Sequence, residues 1–296
     1  GTNGRGLVKY NDATGTIETF RYNPNDAYSI SSDIITSVFE DHTQILWIGT
    51  FLGGLNAYNG REFKRYQVDE DNPNSLSSKS VFGLAEDNEN NLWIATLGGG
   101  TDKLDADRRT FTHHNLRNSK MVSDYVLSVF TDPMKNIYLS TDRGLNYIDK
   151  DRKEITAYFP ESKLLDSLTN ITINYQFVDS KGLVWIATDK GINIYDPHRH
   201  QFYYIMASDG LPSDEVVSLI EDNDGNVWAG TRNGLACIYC DFSDQRLKST
   251  ITYFDVKDGL PSSVCNRNAI FKDKDGIIYI GLSLIHISEP TRLDVI

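Results

Sequence analysis

Three groups of residues in this chain have types and spacings that could do chemistry. The first is a set of Asp-rich runs. Asp222-Asn223-Asp224-Gly225-Asn226 and Asp273-Lys274-Asp275-Gly276 share the oxygen-rich spacing of calcium loops. A calcium site takes six or more oxygens, normally including a later bidentate Glu. That Glu is missing, and corresponding runs elsewhere carry His42, Met134 or Lys181. Asp, Asn and Gly also supply the backbone freedom and side-chain caps of tight hairpins, so these runs are expected to be turns. The second group is His113-His114. Neighbours on a strand face opposite ways, and no third ligand has zinc-like spacing, so an exposed outer-strand pair is expected. The third is Cys237-Ile238-Tyr239-Cys240. It sits in a run that reads as strand, where residues three apart face opposite sides and cannot share a metal or redox partner. With Cys265 the count is three, which argues against a disulfide framework. No metal and no cofactor is expected.

Other chemical signatures fail on inspection. The sialidase Asp-box, Ser-x-Asp-x-Gly-x-Thr-Trp, counted back from Trp228 would put Asn223 at the Asp place; from Trp185 it would put Ser180 there. Neither fits. Gly98-Gly99-Gly100 lies between two strand-like runs and reads as a loop. There is no phosphate-binding Gly-x-x-x-x-Gly-Lys-Ser/Thr run and no Gly-x-Ser-x-Gly elbow. The chain has 296 residues, of which 40% are hydrophobic and 24% charged, and a net charge of −12. That is globular composition, neither disordered nor coiled coil. No run of 18 apolar residues could span a membrane, and the first ten residues lack the apolar stretch of a signal peptide. Clustered basic charge is absent, so nucleic acid is not an expected partner.

The elements that would position any site come from a repeat. Leu46-Trp47-Ile48-Gly49-Thr50 recurs as Leu92-Trp93-Ile94-Ala95-Thr96, Ile137-Tyr138-Leu139-Ser140-Thr141, Val184-Trp185-Ile186-Ala187-Thr188, Val227-Trp228-Ala229-Gly230-Thr231 and Ile278-Tyr279-Ile280-Gly281. The aromatic anchors are 43 to 51 residues apart. Each copy has a Ser-rich lead-in, an apolar strand, an acidic turn, the aromatic strand, a Gly loop, a third strand and an aromatic-rich fourth. Four antiparallel strands at this period suit a β-propeller blade. The aromatic strands are apolar on both faces, as a sheet sandwiched between two others requires. Trp47, Trp93, Trp185 and Trp228 are therefore expected in the core between blades rather than as sugar platforms.

The repeats resemble those of the two-component regulator propeller family. The phrase from Leu211-Pro212-Ser213 through Val216-Val217-Ser218-Leu219-Ile220-Glu221-Asp222, Gly225-Asn226-Val227-Trp228 and Gly230-Thr231 to Gly234-Leu235 carries the likeness, and six copies repeat it as far as Gly281. The resemblance implies a periplasmic sensor of a hybrid two-component system in Bacteroidetes. Such a sensor is followed by a small β-sandwich, a membrane helix and a histidine kinase, and often responds to oligosaccharides released from polysaccharides. It implies ligand binding without catalysis, with the kinase elsewhere. Implied partners are an oligosaccharide, a neighbouring propeller, the C-terminal β-sandwich and a second copy of the full-length protein. The rival readings are a propeller enzyme (a polysaccharide lyase or glycoside hydrolase) and a protein-interaction scaffold. An enzyme would need an acid/base pair in reach of one substrate. A scaffold would show a broad apolar rim, and a sugar sensor a small polar cleft with one or two exposed aromatics.

The expected architecture is all-β: a propeller over 1–281, with five full blades between about 31 and 262. Outer strands at 6–22 and inner strands at 264–281 are left over. The chain then holds about six blades of a native seven and starts inside a blade. Residues 282–296, beginning LSLIHISEPTR, resemble translated sequencing-adapter DNA and are expected to be non-native. Ligand-binding candidates are residues that vary between copies in the loop after the aromatic strand: Arg5, Phe51, Asp142, Arg143, Asp189, Lys190, Arg232 and Asn233. In the usual strand order the Leu-Pro-Ser lead-in shares that rim, adding Asp214, Asn266 and Arg267. Convergence of Arg143, Lys190, Arg232 and Arg267 would make a basic pocket favouring an acidic or sulfated oligosaccharide.

Overall fold

The computed structural model describes residues 1–11, 14–151, 154–160, 167–242, 247–273 and 275–283. The chain divides into two compact units, Gly1–Tyr158 and Phe159–Ile296. The first opens with a two-stranded sheet of β1 (Leu7–Asn11) and β2 (Thr16–Phe20). Three four-stranded sheets follow. The first holds β3 (Ile35–Glu40), β4 (Leu46–Thr50), β5 (Gly54–Tyr58) and β6 (Phe63–Tyr66). The second holds β7 (Val81–Glu86), β8 (Leu92–Thr96), β9 (Gly100–Leu104) and β10 (Phe111–His114). The third holds β11 (Val126–Thr131), β12 (Ile137–Thr141), β13 (Gly144–Ile148) and β14 (Ile155–Tyr158).

The second unit has two more four-stranded sheets. One holds β15 (Ile173–Val178), β16 (Val184–Thr188), β17 (Gly191–Asp196) and β18 (Gln201–Ile205). The other holds β19 (Val216–Glu221), β20 (Val227–Thr231), β21 (Gly234–Asp241) and β22 (Lys248–Phe254). The pair β23 (Cys265–Lys272) and β24 (Ile278–Leu282) ends the described chain. Every sheet is an antiparallel meander in sequence order, which is why the repeat could be read as a blade. Leu282 belongs to β24, and the Ser283 amide donates to Val264 O (2.8 Å). The expected non-native tail otherwise falls on 284–296, outside the described residues.

Three devices build each four-stranded sheet. The acidic turns are hairpins, and each holds its aromatic strand through a carboxylate six residues back. Trp47 Nε1 donates to Asp41, Trp93 to Asp87 and Trp185 to Asp179 at 2.8 Å, and Trp228 to Asp222 at 2.9 Å. Tyr138 Oη does the same to Asp132 at 3.1 Å and Tyr279 to Asp273 at 3.0 Å. The other carboxylate oxygen accepts turn amides, as Asp222 Oδ1 does from Asp224 and Asn226. These oxygens are committed to the turn, which explains the calcium-like spacing without calcium.

The second device is the loop after the aromatic strand. The Thr hydroxyl donates across it to the carbonyl of the next Gly: Thr2 to Gly6 and Thr50 to Gly54 (2.7 Å), Thr96 to Gly100, Thr141 to Gly144, Thr188 to Gly191 and Thr231 to Gly234 (2.8 Å). The Gly is left-handed, with φ of 82° at Gly191, and its missing Cβ lets Ile205 O approach.

The third device is a register shift one residue into each of the five full-sheet first strands, at Thr36, Phe82, Leu127, Asn174 and Val217. Such a bulge re-aims a side chain. β23 carries a wider shift, between Cys265 and Ile270.

The core lies between successive sheets of the same unit. Trp47, Leu55, Leu84, Ile94 and Leu104 form one layer in the first unit. Trp185, Ile194, Leu219, Ala229 and Ile238 form another in the second. Trp47, Trp93 and Trp185 are buried as expected, but Trp228 is half-buried and stacks on Phe254 (5.7 Å). It lies on the sheet face towards the pair β23–β24, which has only two strands among the described residues.

The histidine pair needs correcting. The two rings do face opposite ways, but neither residue is exposed. His113 bonds Asp102 (2.6 Å) and Pro73 O (3.0 Å), while His114 stacks on Trp93 (5.3 Å). The third-strand carboxylate drew one ring inward and the indole drew the other, and neither signal lies next to the pair in sequence. The cysteines are free. Cys240 packs in the layer between sheets, and burial pushes its thiol up to about 12. Cys237 lies on the opposite face, half-buried.

Candidate functional site

Four of the predicted ligand residues hold the same position within their own loops. The backbone amides of Arg5, Arg143, Lys190 and Asn233 each donate to the Thr hydroxyl of their loop, at 3.0, 3.1, 3.0 and 3.1 Å. That contact fixes the residue just before the left-handed Gly and turns its side chain to solvent; all four are exposed. The lead-in segment shares this rim. Gly191 N donates to Asp214 O (2.7 Å), Gly234 N to Ser263 O (2.7 Å) and Arg232 N to Glu215 O (3.1 Å). Asn233 Nδ2 also reaches Pro212 O (3.3 Å). Arg5 and Arg143 lie in the first unit; Lys190, Asp214, Arg232, Asn233, Asn266 and Arg267 lie in the second.

In the second unit, side chains from three successive sheets meet on this rim. Arg232 Nε pairs with Glu215 Oε1 at 2.8 Å, both side chains more than a third exposed. Arg267, from the bulged start of β23, reaches past β19 to place Nη2 3.6 Å from Asp189 Oδ1 in the β16–β17 loop. Asp189 is held by Asn174 Nδ2 (2.8 Å), which also donates to Val216 O (2.8 Å) and so ties β15 to β19. Asn174 is buried, and its Oδ1 has no partner among the described residues. Thr36, at the equivalent bulge of the first unit, makes the same tie to Val81 O.

Two predicted residues are committed to the fold. One Asp214 oxygen accepts from Ala207 N (2.7 Å), as Asp33 does from Tyr22 and Asp124 from Leu116 (2.8 Å each). Asn266 Oδ1 accepts from the Ser283 hydroxyl. The sequence reading missed Asn174 and Glu215. Both have a positional signal: Glu215 precedes the first residue of an apolar strand and Asn174 follows one, where the copies otherwise vary freely between Thr, Phe, Leu and Val.

The corresponding loops of the first unit have a different character. Phe51 meets Phe82 edge-on (6.3 Å), and Leu52 and Tyr125 are exposed at 65% and 55%. Leu52, Gly53, Gly54, Gln67, Val68 and Lys79 line a shallow cleft of about 260 Å³.

The other ends of the sheets are stapled. His42 donates its amide to Glu86 Oε2 (3.1 Å) and sets Nδ1 2.8 Å from Oε1, and Ser180 bonds Glu221 equivalently. Arg108 bridges Glu86 (2.8 Å) and Asp41 (3.0 Å) and lies over the Trp47 ring. Burial works against ionisation of Asp41, but hydrogen bonds from Thr43, Trp47 and Arg108 outweigh it and hold the carboxyl well below the usual range. Asp179 has no such arginine among the described residues. Burial dominates there, and its carboxyl is raised despite the Trp185 and Leu183 bonds.

Comparison with known proteins agrees with these repeats. Residues 75–98 and 210–233 match the two-component regulator propeller family. The chain is 25% identical to histidine kinase P4 of Formosa agariphila over 293 residues, covering 95% of this chain and 20% of that protein. Among solved structures it is similar to the extracellular domain of the hybrid two-component system BT3049 from B. thetaiotaomicron. The TM-score is 0.72 and the identity 23%, over 95% of this chain and 36% of that one. It is also similar to a streptogramin B lyase, with a TM-score of 0.61 and 13% identity over 94% of this chain and 84% of that one. The chain thus spans about a fifth of the curated relative and about a third of the extracellular-domain chain. The fold is that of a β-propeller.

Proposed function

From a chain that carries two-component regulator propeller repeats we propose a ligand-sensing region of a hybrid two-component system, binding an oligosaccharide without turning it over. The reading places it in the periplasm, in a longer protein whose kinase transmits the signal to genes of polysaccharide use. A following β-sandwich and a second copy are the partners through which the signal would leave. The observation that carries the reading is the second-unit rim, where Asp189, Glu215, Arg232 and Arg267 present polar atoms from neighbouring sheets on a scaffold fixed by backbone hydrogen bonds. Planar, partly exposed groups of this kind suit sugar hydroxyls.

The likeness to streptogramin B lyase favours an enzyme as the second reading. The His42–Glu86 pair is its best acid/base candidate. Both Glu86 oxygens already accept from His42 or Arg108, so this carboxylate serves as a staple. Titration calorimetry against an oligosaccharide library, with product analysis of the same mixtures, tests the choice. Binding with no new product is expected; cleavage of the bound sugar, or no binding to any member, sinks the sensor reading.

A further inference from the structure

Resting on that reading, we infer that the second-unit rim recognises an uncharged polyhydroxylated chain, not an acidic or sulfated one. The reason is the way its charges are spent. An anionic ligand is captured by guanidinium groups without competing carboxylates. Here each arginine of the rim faces one: Arg232 has Glu215 at 2.8 Å, and Arg267 has Asp189 at 3.6 Å. Asp189 is not free to swing away, because the buried Asn174 amide holds it. A ligand carboxylate or sulfate at either arginine would meet an ionised carboxylate within contact distance, on a protein of net charge −12.

A hydroxyl meets the opposite situation. It donates and accepts at once, so it fits between a carboxylate oxygen and a guanidinium N–H. The Glu215 pair uses Nε of Arg232, leaving the two terminal nitrogens outside that contact, and half-exposed Arg267 meets Asp189 through a single nitrogen. Two such couples on adjacent sheets suit successive hydroxyls along one sugar chain. Pre-formed pairing also keeps both arginines in place before the ligand arrives, which lowers the ordering cost of binding.

The test uses the chain as it stands and two probe sets, neutral arabino-, xylo- and galacto-oligosaccharides against oligogalacturonides and sulfated galactans. A neutral probe should bind with affinity that changes less than about twofold between low and high salt, since no net charge is neutralised. Arg267→Ala should weaken it about tenfold or more. The double change Asp189→Asn with Glu215→Gln strips the competing carboxylates. It should make the protein bind the acidic probes, with an affinity that falls steeply with salt. Thermal unfolding of each variant separates loss of the site from loss of the fold. Binding of the acidic probes alone by the unaltered chain overturns this inference and leaves the sensor reading standing. No binding of either set overturns both.

Discussion

At the scale of single residues, the most consequential environment is that of His113. Both ring nitrogens face acceptors: the fully buried Asp102 carboxylate at 2.6 Å and Pro73 O at 3.0 Å. Asp102 also accepts from Ser77 N, so the imidazolium ties the fourth strand to the lead-in segment of its own sheet. The Asp102 hydrogen bond is the main cause that raises His113 from 6.5 to about 9; burial opposes it and the Pro73 carbonyl adds to it. A raised histidine contributes stability that is complete below the unfolded value and is lost as pH rises through the folded one. Stability should therefore fall by about 2–3 kcal/mol between pH 6.5 and 9.5. Urea unfolding across that range should show the decline in the unaltered chain. His113→Gln should be less stable at pH 6.5 and should flatten the slope; an equal slope in both proteins would refute the assignment.

Elements in this protein are interchangeable in plan and differ in detail. In each four-stranded sheet the Thr–Gly loop, the carboxylate-to-aromatic bond and the first-strand bulge fix a backbone whose outward side chains are then free to vary. The loop depends on its glycine. At Gly191 the backbone is left-handed, and a Cβ would lie 2.5 Å from Ile205 O, a backbone atom of the neighbouring strand that cannot move aside cheaply. The αL penalty alone is about 1–2 kcal/mol for an L-residue. Gly191→Ala should cost more than that in denaturant unfolding. Gly182, also left-handed but with open space around it, should cost less when changed to Ala. Equal losses at the two positions would mean that the close strand contact is unimportant. The bulge shows how one element is tuned. Asn174 stitches two sheets and fixes a rim carboxylate, while Phe82 in the same place packs against Phe51.

At the scale of the whole molecule each unit has loops of its own character: the first presents the Phe51–Phe82 pair beside exposed Arg5 and Arg143, the second two ion pairs. The expectation of a pocket assembled from Arg143, Lys190, Arg232 and Arg267 treated their positive charge as available. Arg232 and Arg267 are in fact balanced by Glu215 and Asp189. Ligand binding should stabilise the folded state by about 2.7 kcal/mol at a hundredfold excess over Kd. Hydrogen exchange with a bound neutral oligosaccharide should gain protection at 188–191, 231–234 and 263–267. Protection confined instead to 51–54 and 67–68 would move the site to the cleft of the first unit.

The sequence by itself determined the repeat, its four-stranded unit and the number of full four-stranded sheets. Those follow from local rules: alternation of apolar residues, Asp-Gly turns and an aromatic strand dry on both faces recur at one period. It also placed Arg5, Arg143, Lys190 and Asn233 correctly in one loop position, because a loop between two assigned strands has little freedom. Only the tertiary structure decided what those loops hold. The partners of Arg267 and His113 lie on other elements, Asp189 in the β16–β17 loop far along the chain and Asp102 on a strand across a hairpin, and no local pattern encodes such a meeting. Net charge summed over the sequence could not reveal which arginines were already neutralised, because pairing depends on distances of a few ångströms set by the stacking of sheets. The six carboxylate-to-aromatic bonds lie between these limits. Their six-residue spacing is written in every copy, but its purpose emerges only when the hairpin folds the indole or phenol back over its own turn.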